Sequence, residues 1–203
     1  MSPRSISKRL DDLLTDFLLE DYESKSGDFV LGRVRGVFFV PNGTSRNKRY
    51  YPRQTWEKAL EECKSRLEDG MLGTLLHPRT PEWAHPVWSS HVVKKLWIGE
   101  DDKGYGEAYV LDTPVGRVVN TFLRSGLVRL YVSSRAWGKT ERQGDVEVVV
   151  PGQYRLEAFD FVLEPGFLEA RPELVEEYGI DRFYEFEPLA EKVLELARRL
   201  EDG

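Results

Sequence analysis

The stretch "RLYVSSRAWG", residues 129–138, decides how this chain is read. It begins as an apolar strand and breaks into two serines, an arginine and a tryptophan, a polar way to finish a strand. Strand side chains alternate between faces. Val128, Leu130, Val132 and Ser134 therefore share one face, and Arg129, Tyr131 and Ser133 share the other. The first set is apolar and core-facing, so Ser134 is expected to be a satisfied core hydroxyl. Ser133 emerges on the polar face, open to a base and a substrate. A serine nucleophile needs a histidine within hydrogen-bond reach, a group that orients the histidine, and donors for the developing oxyanion. Arg135 and the backbone amides of Ser134 and Arg135 stand beside Ser133 as such donors.

Outward from this stretch the chain is rich in strands. "FVLGRVRGVFFV" alternates and is heavy in Val and Phe, which predicts a strand. "SHVVKKLWI" and "GYGEAYVLD" predict two strands joined by the turn "GEDDKG". "LVRLYVSS", "DVEVVV" and "QYRLEAFDFVLE" predict three more. Between them, Pro52 opens a helix carrying Trp56, Leu60, Cys63 and Leu67 on one face. "TPVGRVVNTFLRSG" reads as a short helix closed by Gly126. "PNGTSRNKRYYP" and "GMLGTLLHPRTPEWAHP" read as loops, punctuated by proline and glycine. The expected fold is α+β, with a mostly antiparallel, β-barrel-like core flanked by helices. Residues 5–22 carry an amphipathic stripe of Ile6, Leu10, Leu13, Leu14, Phe17 and Leu18. Three divisions follow: an N-terminal amphipathic helix or arm over 1–27, a main domain over 28–170, and an acidic helical tail over 171–203. The tail's stripe is Leu189, Val193, Leu196 and Leu200.

The bulk properties narrow the function classes. The chain's 203 residues suffice for one sizeable core, and 40% hydrophobic with 12% aromatic residues is a globular composition. A net charge of -6 argues against general binding to nucleic acid or anionic membranes. No window approaches the roughly 18 apolar residues of a membrane span, and the N-terminus lacks the pattern of a signal peptide. Cys63 is the single cysteine, so no intrachain disulfide forms, and its helical setting assigns it to packing. These features predict a cytosolic protein.

His77, His85 and His91 lie within fifteen residues and raise the possibility of a zinc site. Their spacing matches no helical ligand motif, prolines follow the first two, and no cysteine or well-placed acid completes a set. Neither a metal nor another cofactor is expected. The basic segment Arg46, Lys48, Arg49 with Tyr50 and Tyr51 reads as a structural or peptide-contacting loop rather than a nucleic-acid patch, given the acidic balance of the whole.

Six segments, "SRNKRYYPRQTWEKAL", "LGTLLHP", "SHVVKKLW", "VLDTPVGR", "VSSRAWG" and "FDFVLEPGF", fall in one order across residues 45–167, within a match that covers roughly residues 33–167. In that order they resemble the prohead core proteases of tailed bacteriophages, serine proteases that mature viral capsids and are related in fold to herpesvirus assemblins. The resemblance implies that His77, in the Gly-x-x-x-His-Pro segment, is the catalytic base. It implies that Ser133, the first serine of Val-Ser-Ser-Arg, is the nucleophile, the serine that alternation also selects. A third member is less constrained. Asp160 shares a strand face with Leu156, Ala158 and Val162, where a carboxylate is costly without a partner, which suits a group that orients an imidazole. Glu157 points the other way and is the reserve candidate. Two departures stand out. Many relatives carry an acid near the position of Thr74, and a glycine where this chain has Ala136.

The resemblance further implies substrates and setting: the scaffold or core protein and the major capsid protein, often with self-cleavage, inside the assembling prohead in a bacterial host's cytoplasm. A homo-oligomer is expected, with no nucleic-acid or membrane partner. Residues after about 170 are then a propeptide or scaffold-targeting segment. Two other readings make different predictions. One is a non-catalytic capsid-assembly protein that binds scaffold with the same fold. The other is a metal-dependent hydrolase built on the three histidines.

Overall fold

The computed structural model of the protein describes residues 29–78 and 86–177. Among these residues, alternation is clearest in β1 (Val30–Phe39), where Val34 and Phe38 face the core and Arg33 and Arg35 face away. Two short strands, β2 (Gly43–Thr44) and β3 (Arg49–Tyr51), lie in the segment read as a loop. Pro52 stands at the N-cap of α1 (Arg53–Glu62), which buries Thr55, Trp56 and Ala59. The apolar stripe continues through Cys63, but the helix does not. The chain breaks at Cys63 and restarts as α2 (Lys64–Asp69). Cys63 itself is fully buried, in keeping with a packing role.

The segment 71–78, read as a loop, opens with a strand, β4 (Met71–Thr74). β5 (Ser89–Ile98) and β6 (Gly104–Leu111) form the expected hairpin. α3 (Pro114–Ser125) starts on a Thr113 hydroxyl that accepts from the Gly116 amide, and it closes on Gly126 in the left-handed region. β7 (Tyr131–Gln143) and β8 (Val146–Val162) form a long hairpin, and β9 (Glu173–Glu177) follows. The strand carrying the two serines therefore does not end there. It runs on to Gln143, and its last seven residues are exposed. Likewise "DVEVVV" and "QYRLEAFDFVLE" belong to one strand, with residues 150–153 looped out of the ladder. At the start of the C-terminal segment, residues 173–177 are strand rather than helix. The stripes over residues 5–22 and 189–200 lie outside the described residues.

The strands make two sheets, in the orders β4-β5-β6-β1-β9 and β2-β3-β8-β7. The first is antiparallel throughout; the second contains one parallel pair, β3–β8. The α+β class stands, but the barrel-like expectation needs correction. Along one seam the sheets join where Leu75 bridges Phe161 and the Leu76 amide donates to the Phe161 carbonyl at 2.7 Å. Along the other, among the described residues, the Val132 amide bonds the Ala170 carbonyl, and β7 pairs with no strand of the first sheet. Closure would need a continuous ladder at both seams. The core between the sheets is aromatic: Phe39 lies 4.4 Å from Trp56 by ring centroid, and Phe159 packs edge-on to Phe38 and stacks on Trp56. No helix among the described residues is long and apolar enough to cross a membrane.

Candidate active site

The β4–β8 seam is where chemistry collects. Beside this seam on β8 stands Asp160, paired directly opposite Ser133 on β7. Residues opposite one another in an antiparallel ladder share a face, so Ser133 and Asp160 project to the same side. The neighbouring pair, Ser134 opposite Phe159, projects to the aromatic core. There the Ser134 hydroxyl accepts from the Tyr154 phenol at 2.9 Å. The two hydroxyls thus project to opposite faces, but Ser134 is half-buried like Ser133 rather than sealed in the core.

Thr74 at the end of β4 covers Asp160 from above. Its amide donates to Asp160 Oδ1 at 3.0 Å, and its hydroxyl lies 3.3 Å from the same oxygen. The chain then turns sharply. Leu76 sits at φ 67, a left-handed conformation uncommon for a leucine, and its carbonyl accepts from the Thr74 hydroxyl. This reversal brings His77 back over the seam, where its Nδ1 lies 2.8 Å from Asp160 Oδ2. A buried carboxylate accepts, so Nδ1 carries the proton and Nε2 is left as the acceptor.

Arg135, two residues beyond Ser133 on the same face, completes the set. Its Nε donates to Asp160 Oδ2 at 2.9 Å and its Nη2 to Oδ1 at 3.4 Å. Asp160 is 0% exposed, and burial by itself raises a carboxyl pKa. The bonds from His77, Arg135 and the Thr74 amide, with the Arg135 charge, outweigh burial and hold Asp160 below the usual carboxylate range. The Arg135 guanidinium is thereby engaged with the carboxylate. Strand amides alternate in direction. The Val132 amide points out of the ladder to Ala170, so the Ser134 amide faces the open edge of β7 while the Arg135 amide turns towards β8. The pair expected for the oxyanion role does not converge. Glu157, the reserve acid, is the extra residue of a bulge between the Ser133 and Trp137 stretches of the ladder. It lies 3.8 Å from Arg135 rather than against His77.

Behind the seam, His91 is fully buried. Its Nε2 donates to the Phe159 carbonyl at 3.0 Å, and its Nδ1 accepts from Ser90 at 2.8 Å. Burial pushes its pKa down to about 4, against a smaller opposing pull from Asp160 and the Phe159 carbonyl. Gly73 makes this packing possible. A Cβ there would stand 2.1 Å from the Phe159 carbonyl oxygen and 2.4 Å from the His91 ring. His85 lies outside the described residues, and no group of three His, Cys, Asp or Glu among the described residues is placed to hold a metal ion.

A cleft of about 960 Å³ opens over these groups, with His77, Ser133, Ser134 and Arg135 on its wall. Trp137 and Phe167 add apolar surface, and Arg46 and Arg49 of the basic segment also line it. The Arg46 amide bonds the Gly166 carbonyl, tying the two loops that frame the cleft. No hydrogen bond joins His77 to Ser133 among the described residues. In ligand-free sites such contacts commonly tighten only with substrate. Sequence reasoning did not identify Thr74 as an Asp160 donor, nor His91 and Gly73 as the packing behind it. The signal available was the Gly-x-x-x-His spacing, which spans the strand end and the reversal.

The sequence model of the family described as prohead core protein serine protease matches residues 17–170. A curated relative, the prohead core protein protease of Enterobacteria phage T4, is 29% identical over 126 residues, 60% of this chain and 58% of the relative. The chain thus spans little more than half of that relative's length. Among solved structures, the bacteriophage T4 capsid assembly protease matches with a TM-score of 0.58 and 23% identity, over 66% of this chain and 82% of the other. That likeness is one of fold.

Proposed function

The chain belongs to the prohead core protein serine protease family, and from that premise we propose that it is a serine endopeptidase of phage prohead maturation. The observation that carries the reading is the His77–Asp160 contact of 2.8 Å on a cleft wall that also bears Ser133. Ser133 Oγ attacks a peptide carbonyl while His77 Nε2 takes its proton. Asp160, held ionised, keeps the proton on Nδ1 and stabilises the imidazolium. The Ser134 amide, on the open edge of β7, receives the oxyanion. His77 then protonates the leaving amine, and water releases the acyl group from Ser133. No step calls for a metal or cofactor.

The substrates in this reading are the scaffold or core protein and the major capsid protein, with self-cleavage, inside the assembling prohead of a bacterial host. The protein acts as a homo-oligomer. Residues 28–170 are the protease domain, 1–27 a docking arm, and 171–203 a propeptide or scaffold-targeting segment. The relation to herpesvirus assemblins belongs to the same reading. The test is co-expression with the scaffold protein, followed by mass spectrometry. The parent chain should yield defined truncations, and Ser133→Ala should yield none while remaining folded. Equal cleavage by Ser133→Ala overturns the reading.

A further inference from the structure

We propose that Arg135 is a positioning residue. Its guanidinium fixes the Asp160 carboxylate and offsets its charge, so that His77 meets a nearly neutral ion pair rather than a bare anion. The proposal rests on the Ser133–His77–Asp160 reading above and adds a role that alternation and motif do not assign.

The geometry carries it. Asp160 is fully buried and accepts from Arg135 through both oxygens, by Nε at 2.9 Å and Nη2 at 3.4 Å. This two-point contact sets the plane of the carboxylate. Oδ2 is shared between Arg135 Nε and His77 Nδ1, so the orientation of one governs the other. Thr74 holds Oδ1 from the opposite side. The charged and titratable groups around the pair come from every packed element. They are His77 after β4, His91 on β5, Arg135 on β7, Glu157 on β8, and Arg66 of α2, which donates to the Leu156 and Glu157 carbonyls. Arg135 is the cation in direct contact with Asp160. Leaving a buried carboxylate without its cation is costly and would be offset by protonating the adjacent imidazole.

The sign of the effect follows. Removing the Arg135 charge favours imidazolium at His77, so the acid limb of activity moves to higher pH. An oxyanion role for the guanidinium would lower the rate without moving that limb.

The test uses the full chain and a fluorophosphonate probe, which needs no knowledge of the cleavage site. Ser133 Oγ bonds to phosphorus, the P–F bond breaks, fluoride leaves, and His77 accepts the serine proton. Labelling rate is measured against pH. The parent should label, and Ser133→Ala should not. Arg135→Gln should label about 10²-fold more slowly at the plateau, with its acid limb displaced upward. Arg135→Lys, which keeps the positive charge but not the two-point contact, should lose about 10-fold with the limb unmoved. An Arg135→Gln protein with the parent's acid limb overturns the inference while leaving the triad intact. So does an Arg135→Lys protein labelling at the parent's rate, which decides the matter if the Gln variant fails to fold by circular dichroism. Labelling of Ser133→Ala at the parent's rate overturns the triad reading itself.

Discussion

His77 and His91 lie fourteen positions apart, on either side of the same seam, and the fold treats them in opposite ways. His91 is sealed behind β4, with both nitrogens bonded and its pKa driven down to about 4 by burial. His77 stands at the cleft, with its side chain 42% exposed and one nitrogen bonded to a carboxylate. The same side chain is a packing element in one place and, in the proposed mechanism, the proton carrier in the other. Residue type did not decide this; what covers each ring did. Met71 to Thr74 lies over His91, and the left-handed turn at Leu76 lifts His77 clear of it.

Deleting each imidazole is the sharpest way to break the comparison. His77→Ala should cut proteolysis by about 10⁴-fold or more with thermal unfolding nearly unchanged, as read by cleavage of co-expressed scaffold and by calorimetry. A variant that cleaves like the parent would place His77 with His91 as a structural residue. Gly73→Ala attacks the other side. Its methyl has no room between the Phe159 carbonyl and the His91 ring, so unfolding free energy should fall by about 3 kcal/mol or more in denaturant titration.

Acid exposes His91 without mutation. In the unfolded chain its imidazole takes a proton as pH falls below the ordinary value of 6.5, whereas the folded ring stays neutral to about 4. The unfolded state binds the extra proton, so stability is full above 6.5 and drains as pH drops towards 4. The loss should be of order 2–3 kcal/mol, and His91→Gln should flatten this part of the stability–pH curve. Smallest is the turn itself. Leu76→Asn, better suited to φ 67, should raise stability by about 0.5–1 kcal/mol and leave cleavage unaffected. A loss of activity there would mean that the leucine side chain, half exposed beside the cleft, touches substrate.

Much of this was legible in the chain. The alternation of "FVLGRVRGVFFV", the turn "GEDDKG", and the Gly126 close of α3 all act through neighbours within a few residues. The separation of Ser133 from Ser134 is of the same kind, since it needs only the period of a strand. β4 was read as a loop because four residues with a glycine among them show no period. They are extended because β5 pairs with them and His91 needs the space at Gly73. β9 was masked by the acidic composition around it, and its partner β1 lies some 140 positions earlier in the sequence.

What the sequence by itself determined is a set of parts: the long strands, the helices after Pro52 and Thr113, the opposite faces of the two serines, and the two His-Pro segments. Only the tertiary structure decided that the sheets meet along one seam and, among the described residues, form no continuous ladder along the other. It also decided that Asp160 is ionised by Arg135, Thr74 and His77 together, and that the Arg135 guanidinium serves the carboxylate. Local periodicity is a property of consecutive residues. The state of a buried charge depends on donors drawn from β4, β7 and the turn after β4, and those meet only when the chain has folded.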